Sequence, residues 1–558
     1  MRFDAGTVEW TEKVESNSRI VDPLGIWSSH LSIQGEFTPG ITSVTRRARY
    51  YTIWAYYYEY LYDKDIIRPL DYEKLFILAS LAHHDGFYDS PGLRRMYNNR
   101  KFAGKWDEIQ NFDFDFEISG LGKVYYNQQM EVLRCAWTNQ FRKVRISMIN
   151  SRLARSLSFL NPENFKKNIF TKQELRELFS GFCICQISNN SYEKDILSKL
   201  MFGFFSEKDG NWDIDEDEFE RYMNGHANLV FKNRPEGANN FQEYSEYHSI
   251  EQRNIRRRNT LLLFLKIINE TNPKANLMLR YIWDAIYCRQ NRDNKQEIKF
   301  GKLEQARTYW EIHQLNIYYV FLLEKFLEQI QNIVIQNVGI RKKELVEGRD
   351  HNYLFSNLSE AIGINISNET SLDDLLAHII KTNGADAKSS LNSRLNESDV
   401  YDYLGSDNPE VFLSEFIIMI CLLYIRYYQI FIDLKGIKEF KNNSLTTEQI
   451  NIDQLFNYIK INKTELTIVP FLSNLSRIIV NRHLLESAQR FANNTKNWIF
   501  VEEEGHIFSA REPIRVTTRD NRWQSIRTLL EDLEFIDSEG DSSLLVTEKG
   551  LEWLKKCI

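Results

Sequence analysis

The chain has 558 residues, a net charge of −7, 43% hydrophobic and 13% aromatic residues. That apolar content excludes an intrinsically disordered protein, and the negative balance excludes a polycation, so any nucleic-acid contact must use local basic patches. Length predicts several cores at roughly 100–200 residues per domain, and only 24 glycines and 10 prolines favour long helices over a turn-rich β fold.

In chain order, residues 1–37 mix short β-like pieces with turns, among them Asp22-Pro23-Leu24-Gly25. Pro39-Gly40 is a turn, Thr42 or Ser43 can cap a helix start, and a helix then runs to Tyr62 with seven tyrosines and one tryptophan from Tyr50 onwards. Tyrosines on every side predict an enclosed helix. A second helix spans Asp71 to His84, with Leu75, Leu78, Leu81 and Ala82 at helical spacing and Gly86 as its closing glycine. The chain is helical again from about Tyr126. Thr171 to Gln186 reads as a helix capped by Thr171, and residues 206–221 as an acidic loop entering a helix. Glu251 to Asn269 begins basic and ends apolar; residues 302–337 form a long amphipathic helix or pair. Residues 383–399 are a polar linker, after which Asn408-Pro409 starts an apolar helix. That helix carries Glu415, Arg426, Gln429 and Asp433, and its uninterrupted apolar run, Phe416 to Ile425, is short of the about 20 residues that span a bilayer. A buried helix in a cytoplasmic protein with no membrane partner is expected.

The last sixty residues read as hairpin, helix (Arg522 to Leu533), strand–turn–strand and closing helix, with Val546-Thr547-Glu548-Lys549-Gly550 at the last junction. This resembles a winged-helix domain. The expected fold is therefore mainly α: a multidomain helical body with a small C-terminal winged-helix (α+β) domain. The segments are 1–122 with the Arg/Tyr-rich helix, 123–300 with basic patches, 301–470, and 471–558. No repeat recurs at a fixed period.

Five features could carry function. Arg46, Arg47 and Arg49 sit at a helix N-terminus, the wrong end for cations, so they require anions: carboxylates such as Glu36 or Glu59, or phosphates of another molecule. Two basic intervals, Arg142, Lys143, Arg145, Arg152 and Arg155, and Arg253, Arg256 and Arg257, could form a phosphate-tracking or partner-contacting face. In the winged helix, Arg519, Arg522 and Arg527 are the available contacts. Asp520, Glu531, Asp532 and Glu534, with wing acids Asp537, Glu539 and Asp541, favour protein docking there. His83-His84-Asp85 matches part of an HD-type metal site, which also needs an upstream histidine and a downstream aspartate; His30 and Asp89 are available by type. Asp209, Asn211, Asp213, Asp215, Asp217 and Glu220 follow an EF-hand register, but Ile214 stands where the turn glycine belongs and Glu216 where an apolar residue belongs; a solvated acidic surface is expected. Cys183-Ile184-Cys185 has no second cysteine pair to complete a zinc site, so buried reduced thiols are expected and neither metal nor cofactor. The P-loop, nucleophile-elbow and zincin motifs are absent from the sequence.

Residues 39–51, Pro-Gly-Ile-Thr-Ser-Val-Thr-Arg-Arg-Ala-Arg-Tyr-Tyr, followed by the aromatic helix, resemble the N-terminal signature of a bacterial group encoded beside SMC-like ATPases and effector nucleases. The nearest named case is the non-nuclease, non-ATPase third subunit of Lamassu-type defence systems. The resemblance implies a scaffold that binds an SMC-like ATPase, holds an effector nuclease inactive until foreign DNA is sensed, and brings no catalytic residues. An HD-type hydrolase and a stand-alone winged-helix DNA-binding regulator are the alternatives.

Overall fold

A computed structural model of the chain describes residues 22–26, 34–42, 47–84, 106–116, 118, 127–138, 143–233, 241–337, 339–342, 344–347, 351–383, 391–404, 409–433, 450–491, 498–516, 522–538 and 543–556. The fold is mainly helical, with small two- and three-stranded antiparallel sheets. This agrees with the scarcity of glycine and proline.

The long helix Glu304–Gln336 carries neither glycine nor proline and runs unbroken where one helix or a pair was expected. It is buried along most of its length, polar side chains such as Arg307, Glu311 and His313 included, so other elements enclose it. Around it pack Ile250–Thr271, Met278–Cys288, Pro409–Asp433 and Ile468–Phe491. Pro409–Asp433 is long and apolar enough to cross a membrane, but most of its apolar stretch is buried inside the protein. Its Arg426 donates to Glu311 (3.0 Å) and Glu397 (3.3 Å) and lies over the Tyr287 ring. The sequence segments are stitched together: Ile340–Arg341 pairs with His506–Ser509, which pairs with Phe500–Glu503.

The tyrosine helix is Arg49–Tyr56, continued by one π turn, Tyr57–Leu61. It is enclosed, as the tyrosines on every side predict. A buried phenol needs a hydrogen-bond partner, and here several find a carbonyl: Tyr51 donates to Gly40, Tyr56 to Leu160 (2.8 Å) and, from the next helix, Tyr72 to Ile53 (2.6 Å).

The helix–hairpin–helix order expected near the C-terminus is present: Trp523–Asp532, strands Ile536–Ser538 and Leu544–Val546, then Glu548–Lys555. The same unit occurs twice more. One copy is Asn127–Val132, Ala136–Thr138, Val144–Ile146 and Met148–Arg155; the other is Ser191–Met201, Phe205–Lys208, Asn211–Ile214 and Glu216–Met223. In each, the chain turns through the left-handed region after the first helix, at Arg134 (φ 58°), Gly203 (φ 75°) or Glu534 (φ 61°). The following residue, Cys135, Phe204 or Phe535, is fully buried. Its N–H returns to the carbonyl of Met130, Lys199 or Leu530 at 2.8, 2.8 and 2.9 Å. Its own carbonyl accepts from Ser147, Asp215 or Thr547, whose side chain caps the second helix by accepting from the N–H of Asn150, Glu218 or Gly550. The copies lie at unequal spacing, so a search for a fixed period misses them.

Three expectations are corrected. The interval after Tyr126 is not continuously helical, since Lys143 and Arg145 lie on a hairpin. The helix begun at Thr171, with the expected capping box to Glu174, stops at Leu178 and gives way to two 3-10 turns, Ser180–Phe182 and Ile184–Asn189. Phe179 and Phe182 turn into the core there against Phe165, and Gly181 lies so close to the Phe159 ring that a Cβ would come within 2.2 Å of it. The acidic stretch read as a loop is a hairpin: Asp209-Gly210 forms its turn, both residues at positive φ, as Asp-Gly favours.

Candidate functional site

The arginines at the start of the tyrosine helix find their anions inside the protein. Arg47 grips Asp532 with Nε (3.0 Å) and Nη2 (2.9 Å), and the same carboxylate accepts from the Ala48 N–H (2.9 Å). Asp532 therefore supplies, from the far end of the chain, the negative charge that a helix N-terminus favours. Burial pushes its carboxyl above the ordinary range, with Arg47 opposing. Arg49 donates to the Gly181 carbonyl (2.7 Å) and lies 3.6 Å from Glu193, whose carboxyl burial likewise raises. The sequence suggested Glu36 and Glu59 instead. Glu36 accepts from Tyr247, and Glu59 from Asn150 (3.2 Å) and Ser151 (2.9 Å). Arg46 lies outside the described residues.

The second basic interval is no phosphate-tracking face. Arg256, Arg257 and Arg258 are 0%, 1% and 1% exposed. Arg257 donates to the carbonyls of Met201 (2.6 Å), Leu200 (3.0 Å) and Pro39 (2.9 Å). Arg258 donates to those of Phe202 (3.0 Å) and Gly203 (3.3 Å) and to Glu218 (3.1 Å). The carbonyls at the end of Ser191–Met201 lack helical donors, and they carry the negative pole of that helix. Two guanidiniums from a second helix satisfy them. Desolvation draws Arg257 down to about 9. Arg256 donates to the Tyr247 carbonyl (2.9 Å) and stacks on the Tyr247 ring; Arg253 is half-buried.

The helix Trp523–Asp532 cannot enter a major groove as expected of a DNA-reading winged helix, because none of its residues is fully exposed. Its Trp523 packs on Trp310 and Phe264. Arg522 donates to the Gln34 carbonyl (3.0 Å) and Thr38 (2.7 Å), and Arg527 to Glu531 (2.8 Å). Arg519 and Arg142 lie outside the described residues. Lys143 and Arg145 are exposed on the first hairpin, beside the exposed apolar side chains of Ile146 and Met148. Arg152 is tied to Asp213 (2.7 Å), and Asp215 caps a helix, so these two acids of the EF-hand register are engaged within the chain.

Two motifs read separately from the sequence meet. Pro69–His83 ends at its last histidine, and His84 leaves the helix at φ −110°, ψ 23°. The two imidazole rings stand at 89° to each other. Against them lies the turn carrying Cys183, in extended backbone, and Cys185. Cys183 Sγ is 3.3 Å from His84 Nε2 and 3.4 Å from Cys185 Sγ. The ligand atoms of His83, His84 and Cys185 all lie within 4.8 Å of one another. Gln186 Nε2 lies 3.1 Å from His83 Nε2. The Cys183 thiol and the nearby imidazoles draw Cys185 below the ordinary thiol range, while Cys183 is raised. The turn is pinned by Arg49 at Gly181, by Phe182 against Tyr72 and Phe76, and by Arg176, which donates to the Ala82 carbonyl (2.8 Å). Asp85, His30 and Asp89, which the HD-type reading requires, lie outside the described residues.

No family model, curated protein or solved structure matches this chain.

Proposed function

We propose that the chain is a non-catalytic scaffold subunit of a cytoplasmic bacterial anti-phage or anti-plasmid complex, docking an SMC-like ATPase and an effector nuclease. The observation that carries this reading is where the arginines go. Arg47, Arg49, Arg256, Arg257, Arg522 and Arg527 are bonded to carbonyls and carboxylates of the chain itself. These six arginines serve the chain's own fold rather than a phosphate backbone, which favours a scaffold over a stand-alone DNA-binding regulator. The resemblance of residues 39–51 supplies the partner classes.

Among the described residues, one exposed surface suited to contact is the hairpin bearing Lys143 and Arg145, with Ile146 and Met148 beside it. Cationic and apolar groups side by side suit an acidic protein surface or a DNA backbone. Tagging the chain at its native locus and identifying what copurifies tests the proposal. An SMC-like ATPase in stoichiometric amount supports it, and a protein that elutes alone while conferring full activity overturns it.

A further inference from the structure

We propose that His83, His84, Cys183 and Cys185 bind one borderline-soft divalent cation, zinc by preference, as a structural staple between the end of Pro69–His83 and the turn that follows Lys172–Leu178. Nothing in this depends on the scaffold reading.

Donor chemistry is the first support. Two imidazoles and two thiol sulfurs suit zinc, whereas magnesium and calcium take oxygen ligands. Spacing is the second. A tetrahedral site with Zn–N near 2.1 Å and Zn–S near 2.3 Å puts its ligand atoms about 3.4–3.8 Å apart. Cys183 already stands 3.3 Å from His84 Nε2 and 3.4 Å from Cys185 Sγ. The widest separation among His83, His84 and Cys185 is within 4.8 Å, so small rotations of the ring and thiol torsions complete the set.

Local backbone is the third support. Adjacent residues on a helix point about 100° apart and cannot share one ligand. Here the helix ends between them, so the imidazoles converge. Cys183 is extended and Cys185 lies in the 3-10 turn that Ile184 opens, which brings the two sulfurs to one side while Ile184 enters the core. The positions are held by bonds that do not involve the four ligands: Arg176 to the Ala82 carbonyl, Arg49 to the Gly181 carbonyl, and Phe182 in its aromatic nest. His83, His84 and Cys185 are half-buried, which leaves an entry path. Four protein ligands close the coordination sphere, and closed sites are structural rather than catalytic. The step is exchange: water leaves the aqueous ion, the thiols release their protons to solvent, and no electron moves.

The test uses the full-length chain, purified under reducing conditions and loaded with cobalt(II), which adopts the same geometry and reports it by absorption. The expected result is a thiolate-to-cobalt charge-transfer band and tetrahedral ligand-field bands that saturate at one equivalent, and one zinc per chain in protein isolated without chelator. Cys183→Ser/Cys185→Ser and His84→Ala should lose both signals, and Cys288→Ser should keep them. Because wild-type titration needs no variant to fold, it decides alone. A spectrum that stays that of the aqueous ion, a saturating spectrum that survives in the double variant, or a metal-free Cys183–Cys185 disulfide in protein isolated without reductant would each overturn the site. Metal content and copurification are separate readouts, so failure here leaves the scaffold reading untouched, and the reverse.

Discussion

Replacing Arg257 by methionine keeps most of the side chain's apolar volume and removes every donor. In the native structure that guanidinium is 1% exposed and serves the carbonyls of Pro39, Leu200 and Met201. A buried polar group left unsatisfied costs about 1–3 kcal/mol; the Leu200 carbonyl keeps the Gly203 N–H as a donor, so the Pro39 and Met201 carbonyls set a gross loss of about 2–6 kcal/mol. Two effects reduce it. The variant no longer buries a cation, whose desolvation is what draws Arg257 down to about 9, and water can enter the space vacated by the guanidinium. The net expectation is about 1–3 kcal/mol, because the variant loses hydrogen bonds to neutral carbonyls and strands no opposite charge. Arg257→Lys should lose nearly as much, since one ammonium on a flexible stem does not reproduce a planar fork. Urea unfolding followed by circular dichroism gives the midpoint shift. Amide exchange gives the local effect, with protection falling first at Phe202, Gly203 and Phe204, whose backbone the clamp holds. A midpoint for Arg257→Met within about 0.5 kcal/mol of wild type would refute the idea that this arginine caps the helix.

Other expectations follow from the same contacts. Arg47→Ala strips the buried Asp532 of its bidentate partner; with Arg47 partly exposed, the cost should be about 1–3 kcal/mol. Because burial already raises the Asp532 carboxyl, that loss should shrink as pH falls and the group protonates, and Arg47→Ala/Asp532→Asn should recover part of it in a thermal melt. Lys549 is half-buried, donates to the Leu533 carbonyl and lies over the Phe535 ring, and desolvation lowers its amine from 10.5 to about 8. The depressed pKa means that the unfolded chain holds the proton more tightly between those values. Wild type should therefore gain stability relative to Lys549→Met as pH rises from about 8 to 10.5, the gain being complete above the unfolded value and lost as pH falls through the folded one. A Lys549→Met difference that is flat over that window would count against the desolvated amine. Lys143→Glu/Arg145→Glu alters only exposed side chains, so melting should stay within about 0.5 kcal/mol of wild type while partner or DNA capture weakens and loses its salt dependence.

Much of the fold was legible because periodicity and punctuation are local. Most long helices, the two C-terminal hairpins and the enclosure of Tyr50–Tyr58 all follow from residue spacing. What the sequence concealed is long-range. Asp532 and Arg47 are 485 positions apart, and Cys183 and His84 are 99 apart; no spacing rule links such pairs. Arg256-Arg257-Arg258 looks like a solvated face because arginine is seldom fully buried. Its true partners are backbone carbonyls, which every residue carries and no motif marks. The two further helix–hairpin–helix units escaped notice because each is signalled only by a left-handed residue, one buried side chain and a cap, filled by Arg134, Cys135 and Ser147 in one copy and by Gly203, Phe204 and Asp215 in the next. No second cysteine pair accompanies Cys183 and Cys185 in the sequence, and the histidines that lie beside them, His83 and His84, come from another element.

The central claim is that this chain works as a platform for partners. Measuring the mass of the tagged protein released from its native locus, by light scattering on the size-exclusion peak, tests it most directly. The account predicts a species well above the 66.2 kDa of one chain, containing an SMC-like ATPase and a nuclease, and dissociating when the Lys143–Arg145 hairpin is charge-reversed. A monomer of 66.2 kDa that by itself carries the full biological activity would contradict it.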